Sequence, residues 1–233
     1  MISTTKSRLN RFADRIGWNA QFHKVGKDDR LYPSLEYIAS PADATLACHG
    51  NIGKEGDIIS KHKKVVALEK IIGNYANKFH EGIYFNMYLS PRNKHYFRIP
   101  YDGTVEYIQM NNGKAKYFWE TVMIGLDNWF GDTKMFAKAI EENATIGIVV
   151  KAKHFSYAMI AVGSLNVNNI TVKCEEGKKY CKGFKAGYFS IGSTILLCFD
   201  KSLKKNIEEL LIKDGEKKDI GDDIVKINGI YEK

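Results

Sequence analysis

From about residue 35 onward the chain is a succession of short apolar runs separated by Gly, Asn and Asp turns, and this punctuation constrains its fold more than any other feature. The runs Ile83–Leu89, Val105–Ile108, Ile146–Val150, Tyr157–Val162 and Thr194–Phe199 are rich in β-branched and aromatic residues. Runs of that length and composition, bounded by turn residues, read as strands rather than helices. Tyr101-Asp102-Gly103 and Asn111-Asn112-Gly113 supply turns between them. Helical periodicity interrupts the strands over roughly 65–79, more weakly near 132–142, and again from Ser202 to Leu211. The charged tail after Lys213 reads as a last strand. The expectation is an α+β fold, a mostly antiparallel β-sheet domain with peripheral helices.

Residues 7–22 differ from the rest. Leu9, Phe12, Ala13 and Ile16 recur at three- and four-residue spacing, while Arg8, Arg11 and Arg15 stand on the other side. That is a short amphipathic helix, docked on its own domain or lying at an anionic membrane interface. The domain organisation expected is therefore an N-terminal amphipathic helix and lead-in over 1–30, then a single catalytic domain over 31–233.

At 233 residues, a core can be buried without staples. The four cysteines, Cys48, Cys174, Cys181 and Cys198, form no C-x-x-C pair and fit no zinc spacing. They read as reduced, mostly buried thiols in a reducing, intracellular setting, and no metal site is expected. No stretch approaches the ~18 apolar residues that cross a bilayer. The start, Met1 to Lys6, lacks the apolar region of a signal peptide. The formal net charge of +8 points to acidic partners or to a solvated basic surface.

Four segments could carry chemistry. Ser40-Pro41-Ala42-Asp43 places a carboxylate in a turn. Leu89-Ser90-Pro91-Arg92-Asn93-Lys94-His95-Tyr96-Phe97-Arg98-Ile99-Pro100 concentrates a histidine and three cations in one loop. Ala161 to Ile170 reads as strand, turn and strand. Gly187-Tyr188-Phe189-Ser190-Ile191-Gly192-Ser193-Thr194 puts a Gly-Ser-Thr triplet just before a buried strand. Ile191 stands two residues before Ser193, so this is not the G-x-S-x-G elbow of a serine hydrolase.

In this order and spacing, the four segments resemble the phosphatidylserine decarboxylase family over roughly residues 35–212. That family carries S-P-A-D-G, then L-S-P-x-x-x-H-x-x-(H/R)-x-P-x-x-G, then V-G-A-x-x-V-G-S-I, then F-x-x-G-S-T. Here Ala44 replaces a glycine, Ser164, Asn168 and Asn169 depart from the third motif, and His62-Lys63 stands where a Lys-Gly pair is usual. Arg98 occupies a position that is histidine in longer members and arginine in a shorter branch.

The resemblance implies a self-processing proenzyme. The Ser193 hydroxyl attacks the Gly192 carbonyl, the chain parts between 192 and 193, and residue 193 becomes a covalent pyruvoyl group, the only cofactor. Glycine before the serine accommodates the backbone that such an attack needs. Either His95 or Asp43 is the base for this step. The pyruvoyl ketone captures the substrate's amine and takes up electrons when carbon dioxide leaves. Histidine as a residue type titrates near neutrality, which suits His95 to return a proton. Arg98, Arg92 and Lys94 are the candidates for holding the substrate's phosphate or carboxylate. The implied substrate is phosphatidylserine, an anionic serine phospholipid, and the product phosphatidylethanolamine. The implied partners are that lipid and the membrane surface, met peripherally from the cytoplasmic face. The two cleaved chains are expected to stay associated, with a homodimer compatible, and no nucleic-acid partner is expected. Three alternatives remain open from the residues alone. They are a pyruvoyl decarboxylase of a soluble amino acid, one acting on another serine-headed lipid, and an uncleaved homologue serving as a binding module.

Overall fold

The computed structural model describes residues 1–5, 11, 12, 15, 34–60, 63–90, 93–113, 140–163, 169–189 and 193–228, with residues 59, 60, 63–65 and 193 described by their backbone. In chain order the first strands are β1 (Ile2–Ser3), β2 (Tyr37–Ala39), β3 (Ala44–Asn51), β4 (Asp57–Ser60) and β5 (Lys63–Ala67). A short helix α1 (Glu69–Ile72) runs into a 3₁₀ helix over Gly73–Phe79. Then come β6 (Ile83–Leu89), β7 (Tyr96–Arg98), β8 (Gly103–Asn111), β9 (Thr145–Lys151) and β10 (Ser156–Val162). The last part holds β11 (Ile170–Val172), β12 (Lys179–Tyr180), β13 (Lys185–Phe189), β14 (Ser193–Phe199) and helix α2 (Lys201–Lys205), closing with β15 (Ile207–Leu210), β16 (Lys217–Lys218) and β17 (Asp223–Ile227).

The organising element is an eight-stranded sheet in the order β12-β8-β9-β10-β14-β6-β3-β16, with every pairing antiparallel. One of its faces meets a four-stranded sheet, β1-β11-β13-β7, and a three-stranded sheet, β15-β17-β2. The core between them is built from Leu46, Phe85, Met87, Met159, Ile195, Leu197 and Phe199 on one side and Phe97, Phe189, Ile170 and Ile224 on the other. The opposite face packs Ala158, Ile160, Leu196 and Cys198 against Ile58, Leu68, Ile71, Ile72 and Phe79. Strands β10 and β14 are thus covered on both faces, which is why they read as unbroken apolar runs instead of alternating ones. At Gly147, a Cβ would lie 2.4 Å from Ile72 Cγ2, so the bare glycine is what lets α1 settle on β9.

All five sequence-predicted strands form, as does a final strand after Lys213. The predicted helix over 65–79 starts later. Lys63–Ala67 is a strand paired with β4, and helical structure begins at Glu69. The helix expected from Ser202 to Leu211 stops at Lys205. Asp200 caps its start by accepting from the Leu203 amide at 2.9 Å, and the Asn206 amide closes its end on the Leu203 carbonyl at 2.8 Å. Ile207–Leu210 then pairs with β17, and this ladder overrides the helical spacing. At the N-terminus, Arg11, Phe12 and Arg15 are helical and exposed. Most of the predicted 7–22 and 132–142 helices, and the third motif's residues 164–168, lie outside the described residues. The cysteines are free as expected, with Cys174 and Cys198 buried and Cys48 half-buried. Cys181, however, is exposed because it sits in the turn after β12.

Candidate active site

Sheet register brings the distant motifs to one end of the eight-stranded sheet. Ser193, the first residue of β14, is the Cα partner of Leu89, the last residue of β6. Thr194 faces Tyr88 on one side and Val162, the last residue of β10, on the other. Tyr88 in turn partners Thr45 of β3, whose lead-in carries Asp43. The starts of β3 and β14 and the ends of β6 and β10 therefore share one edge. Asp43 and Ser193 are separated there by the single strand β6. Adjacent strands lie about 4.8 Å apart, so this register is what makes segments about 150 positions apart in sequence into neighbours.

Hydrogen bonds then fix the segments to one another. Asn93 Nδ2 donates to the Asp43 carbonyl at 2.6 Å, and Ser90 Oγ donates to Asn93 Oδ1 at 2.8 Å. The Asn93 amide returns to the Ser90 carbonyl at 3.0 Å, closing a turn just beyond Leu89. On the other motif, Ser40 Oγ donates to the Ala42 carbonyl at 2.7 Å. Asp43 is 7% exposed, and its Oδ1 accepts from the Ile220 amide at 2.7 Å. The turn that carries Ile220 is tied down again, with the Ser40 amide on the Asp222 carbonyl at 2.7 Å and the Gly221 amide on the Ser40 carbonyl at 3.0 Å. A backbone N–H donated to a buried carboxylate oxygen fixes the direction in which that carboxylate points.

His95 is fully buried where the loop enters β7. Its carbonyl accepts from the Phe189 amide at 2.7 Å, so it lies beside the last residue of β13. Phe189 ends a strand of the four-stranded sheet and Ser193 opens a central strand of the eight-stranded one, while Gly192 lies outside the described residues. Gly187 permits the close packing just upstream, since a Cβ there would lie 2.3 Å from the Thr171 carbonyl oxygen.

The cationic candidates sit differently. Arg98, at the far end of β7, is half-buried. Its Nη1 donates to the Gly183 carbonyl at 2.6 Å, its guanidinium lies 5.5 Å over the Tyr96 ring, and its amide donates to the Pro41 carbonyl at 2.8 Å. Lys185, opposite Arg98 on β13, places Nζ 4.7 Å from the same ring centroid. Partial burial pulls the Lys185 ammonium below its usual range, helped by the neighbouring charges of Lys173 and Arg98. Lys94 is half-exposed in the loop. Arg92 lies outside the described residues.

Sequence reasoning singled out Asp43, His95 and Ser193, and the fold gathers the segments that carry them. It missed Ser40, Ser90 and Asn93, which fasten those segments together, and the 219–222 turn that grips Asp43. The paired Ser-Pro steps at 40–41 and 90–91 were the available signal, because a polar residue before proline favours a turn. Nothing in the sequence could have paired Ile220 with Asp43.

The sequence has counterparts among known proteins. The family model described as phosphatidylserine decarboxylase matches residues 19–226. A phosphatidylserine decarboxylase proenzyme of Halalkalibacterium halodurans is 28% identical over 190 residues, covering 79% of this chain and 68% of the relative. The proenzyme of Geobacillus kaustophilus is 29% identical over 166 residues, covering 70% and 58%. That of Bacillus cereus strain B4264 is 29% identical over 191 residues, covering 80% and 67%. The matched stretch thus spans from somewhat over half to about two thirds of these relatives' own length. With nearly the whole chain inside the match and its motifs gathered at one sheet end, the chain belongs to the phosphatidylserine decarboxylase family.

Proposed function

We propose that this chain cuts itself between Gly192 and Ser193 and then decarboxylates phosphatidylserine to phosphatidylethanolamine at a membrane surface. The observation that carries the proposal is the register Thr45–Tyr88–Thr194 together with Leu89–Ser193, which aligns the acidic motif, the histidine loop and the Gly-Ser-Thr segment at one sheet end.

In self-cleavage, the Ser193 hydroxyl adds to the Gly192 carbonyl and the peptide bond becomes an ester. Asp43 or His95 takes the hydroxyl proton. Elimination then frees the Gly192 carboxylate and leaves a double bond at residue 193. Water converts this, with loss of ammonia, to the pyruvoyl group. The residues present fit that group, because it is made from a residue that strand β14 already holds in place. Seven Cα partners on β6 and six on β10 support residues 193–199 after the chain is cut. The 219–222 turn, also on the C-terminal fragment, keeps its grip on Asp43. The pyruvoyl ketone supplies an electron sink for a substrate amine.

The remaining work belongs to the protein's own groups. His95, buried beside the strand that leads to residue 193, holds a proton for the substrate carbon that loses carbon dioxide. Asp43 is aimed by the Ile220 amide and anchored by Asn93. Arg98, Arg92 and Lys94 bind the headgroup, and an arginine fork suits the phosphate. A tight hold on the carboxylate would oppose its departure, so at least one of these cations serves the phosphate. The charge of +8 favours an anionic surface. Phe12, 57% exposed between Arg11 and Arg15, supports peripheral docking through the N-terminal helix. Among the described residues, no helix is long and apolar enough to cross a membrane. The free cysteines accord with the cytoplasmic face.

The test is carbon dioxide release from phosphatidylserine vesicles, with phosphatidylethanolamine read by mass spectrometry. Turnover by the wild type and none by Ser193→Ala is the expected result. Turnover of free serine but not of the lipid would overturn the substrate assignment, and no turnover of any amine would overturn the enzyme.

A further inference from the structure

A second polar constellation lies at the opposite end of the eight-stranded sheet. Lys179 of β12 is the Cα partner of Thr104 on β8, and Thr104 is the partner of Lys151 on β9. Directly opposed residues of an antiparallel sheet share a face, so the two lysines flank the threonine on one side of the sheet. Their Cα atoms are two strand spacings apart, about 10 Å. A flexible four-carbon stem carries each ammonium across half that gap, so both can close on one anion above the Thr104 hydroxyl. These three residues line a cavity of about 520 Å³ together with Lys153 and His154 from the β9–β10 turn. This volume lies in the range that holds small ligands. From Ser193 to Phe199 the sheet runs six residues, about 20 Å, so the cavity is well removed from the cleavage end.

Charge pairing on this surface is selective. The neighbouring Lys178 is satisfied by Glu175 at 2.7 Å, and Lys70, Lys78, Lys201 and Lys226 each have a carboxylate. Among the described residues, neither Lys151 nor Lys179 has an ion-pair partner. The carboxylate in the cavity wall is Asp102, whose Oδ1 is held by the Lys182 amide at 2.6 Å. The ammonium groups of Lys151 and Lys179 thus share this face with one carboxylate that is already held by a backbone amide. Like charges gathered on one sheet face repel, and a bound anion relieves that repulsion.

We propose that this cavity is a phosphate-ester site, separate from the cleavage end, in which Lys151 and Lys179 clamp the phosphate and Thr104 donates its hydroxyl to it. Two sources share that chemistry, a soluble phosphate monoester and the phosphate of a lipid headgroup.

The test titrates the purified full chain with glycerol 3-phosphate at low ionic strength, following backbone amide shifts. Saturable shifts grouped at Thr104, Ala152 and Lys179 are expected. Because both lysines are exposed, Lys151→Gln/Lys179→Gln should fold and process normally. Loss of two charge-assisted contacts should weaken binding at least roughly tenfold. A parallel sedimentation with phosphatidylglycerol vesicles separates the sources. Lost vesicle binding in the double variant assigns the site to lipid headgroups, and retained vesicle binding assigns it to soluble esters. Absence of saturable shifts in the wild type, or a double variant that keeps more than about a tenth of the wild-type affinity, overturns the proposal.

Discussion

Asp43 has a structural task and, under the proposed function, a chemical one, and two substitutions separate them. Its carboxylate accepts the Ile220 amide at 2.7 Å in a buried position. Alanine at 43 leaves that N–H with no acceptor, which costs about 2 kcal/mol. For a chain of this size, that lowers Tm by roughly 4–8 °C. Asparagine keeps an acceptor oxygen and loses only the charge, about 1 kcal/mol or less, or roughly 2–4 °C. Both are best measured by calorimetry in a Ser193→Ala background, so that every species compared is uncleaved. Cleavage is then followed by intact mass in the Ser193 parent. Asp43→Asn should stay folded yet process far more slowly, because an amide cannot take the hydroxyl proton or support charge on its neighbour. Wild-type processing by Asp43→Asn would refute the chemical task. An Asp43→Ala protein with unchanged Tm would refute the structural one.

Three further outcomes follow from the same geometry. Burial pushes the Cys174 thiol up to about 12 and the Cys198 thiol higher still, whereas Cys181 is exposed; a thiol reagent at pH 8 should label Cys181 promptly and leave Cys174 and Cys198 until unfolding. Lys182 is buried with its ammonium donating to the Tyr37 carbonyl at 2.8 Å and the Ser34 carbonyl at 3.0 Å, and desolvation lowers its pKa. The folded state therefore gives up that proton before the unfolded chain does, so this residue's contribution to stability rises with pH from its folded value up to the ordinary lysine range. Lys182→Met should remove that alkaline rise in urea titrations. Gly187→Ala forces a Cβ onto the Thr171 carbonyl oxygen at 2.3 Å and should lower stability by about 1–3 kcal/mol, measured by urea unfolding.

Much of this architecture was legible in the sequence because the central strands advertise themselves. Tyr157–Val162 and Thr194–Phe199 are apolar on both faces, and they lie between two cores. The candidate chemical residues stand out by motif, since Asp43, His95 and Ser193 each sit in a short segment of fixed order. What stayed hidden depends on pairing across long sequence separations. Ile207 and Leu210 have helical spacing, but β17 offers them a ladder, and the ladder wins. Asn93 looks like one polar residue among several until the fold brings it to the Asp43 carbonyl. The row Lys179–Thr104–Lys151 exists only through register, and nothing local distinguishes those lysines from the many others on the surface.

The most direct measurement is the intact mass of freshly purified protein, run under native and then denaturing conditions. One native particle that separates on denaturation into fragments 1–192 and 193–233, the second with a blocked, carbonyl-reactive start, is the outcome the register at Ser193 leads to, with Ser193→Ala remaining whole. A wild-type polypeptide that runs uncut from Met1 to Lys233 would contradict it.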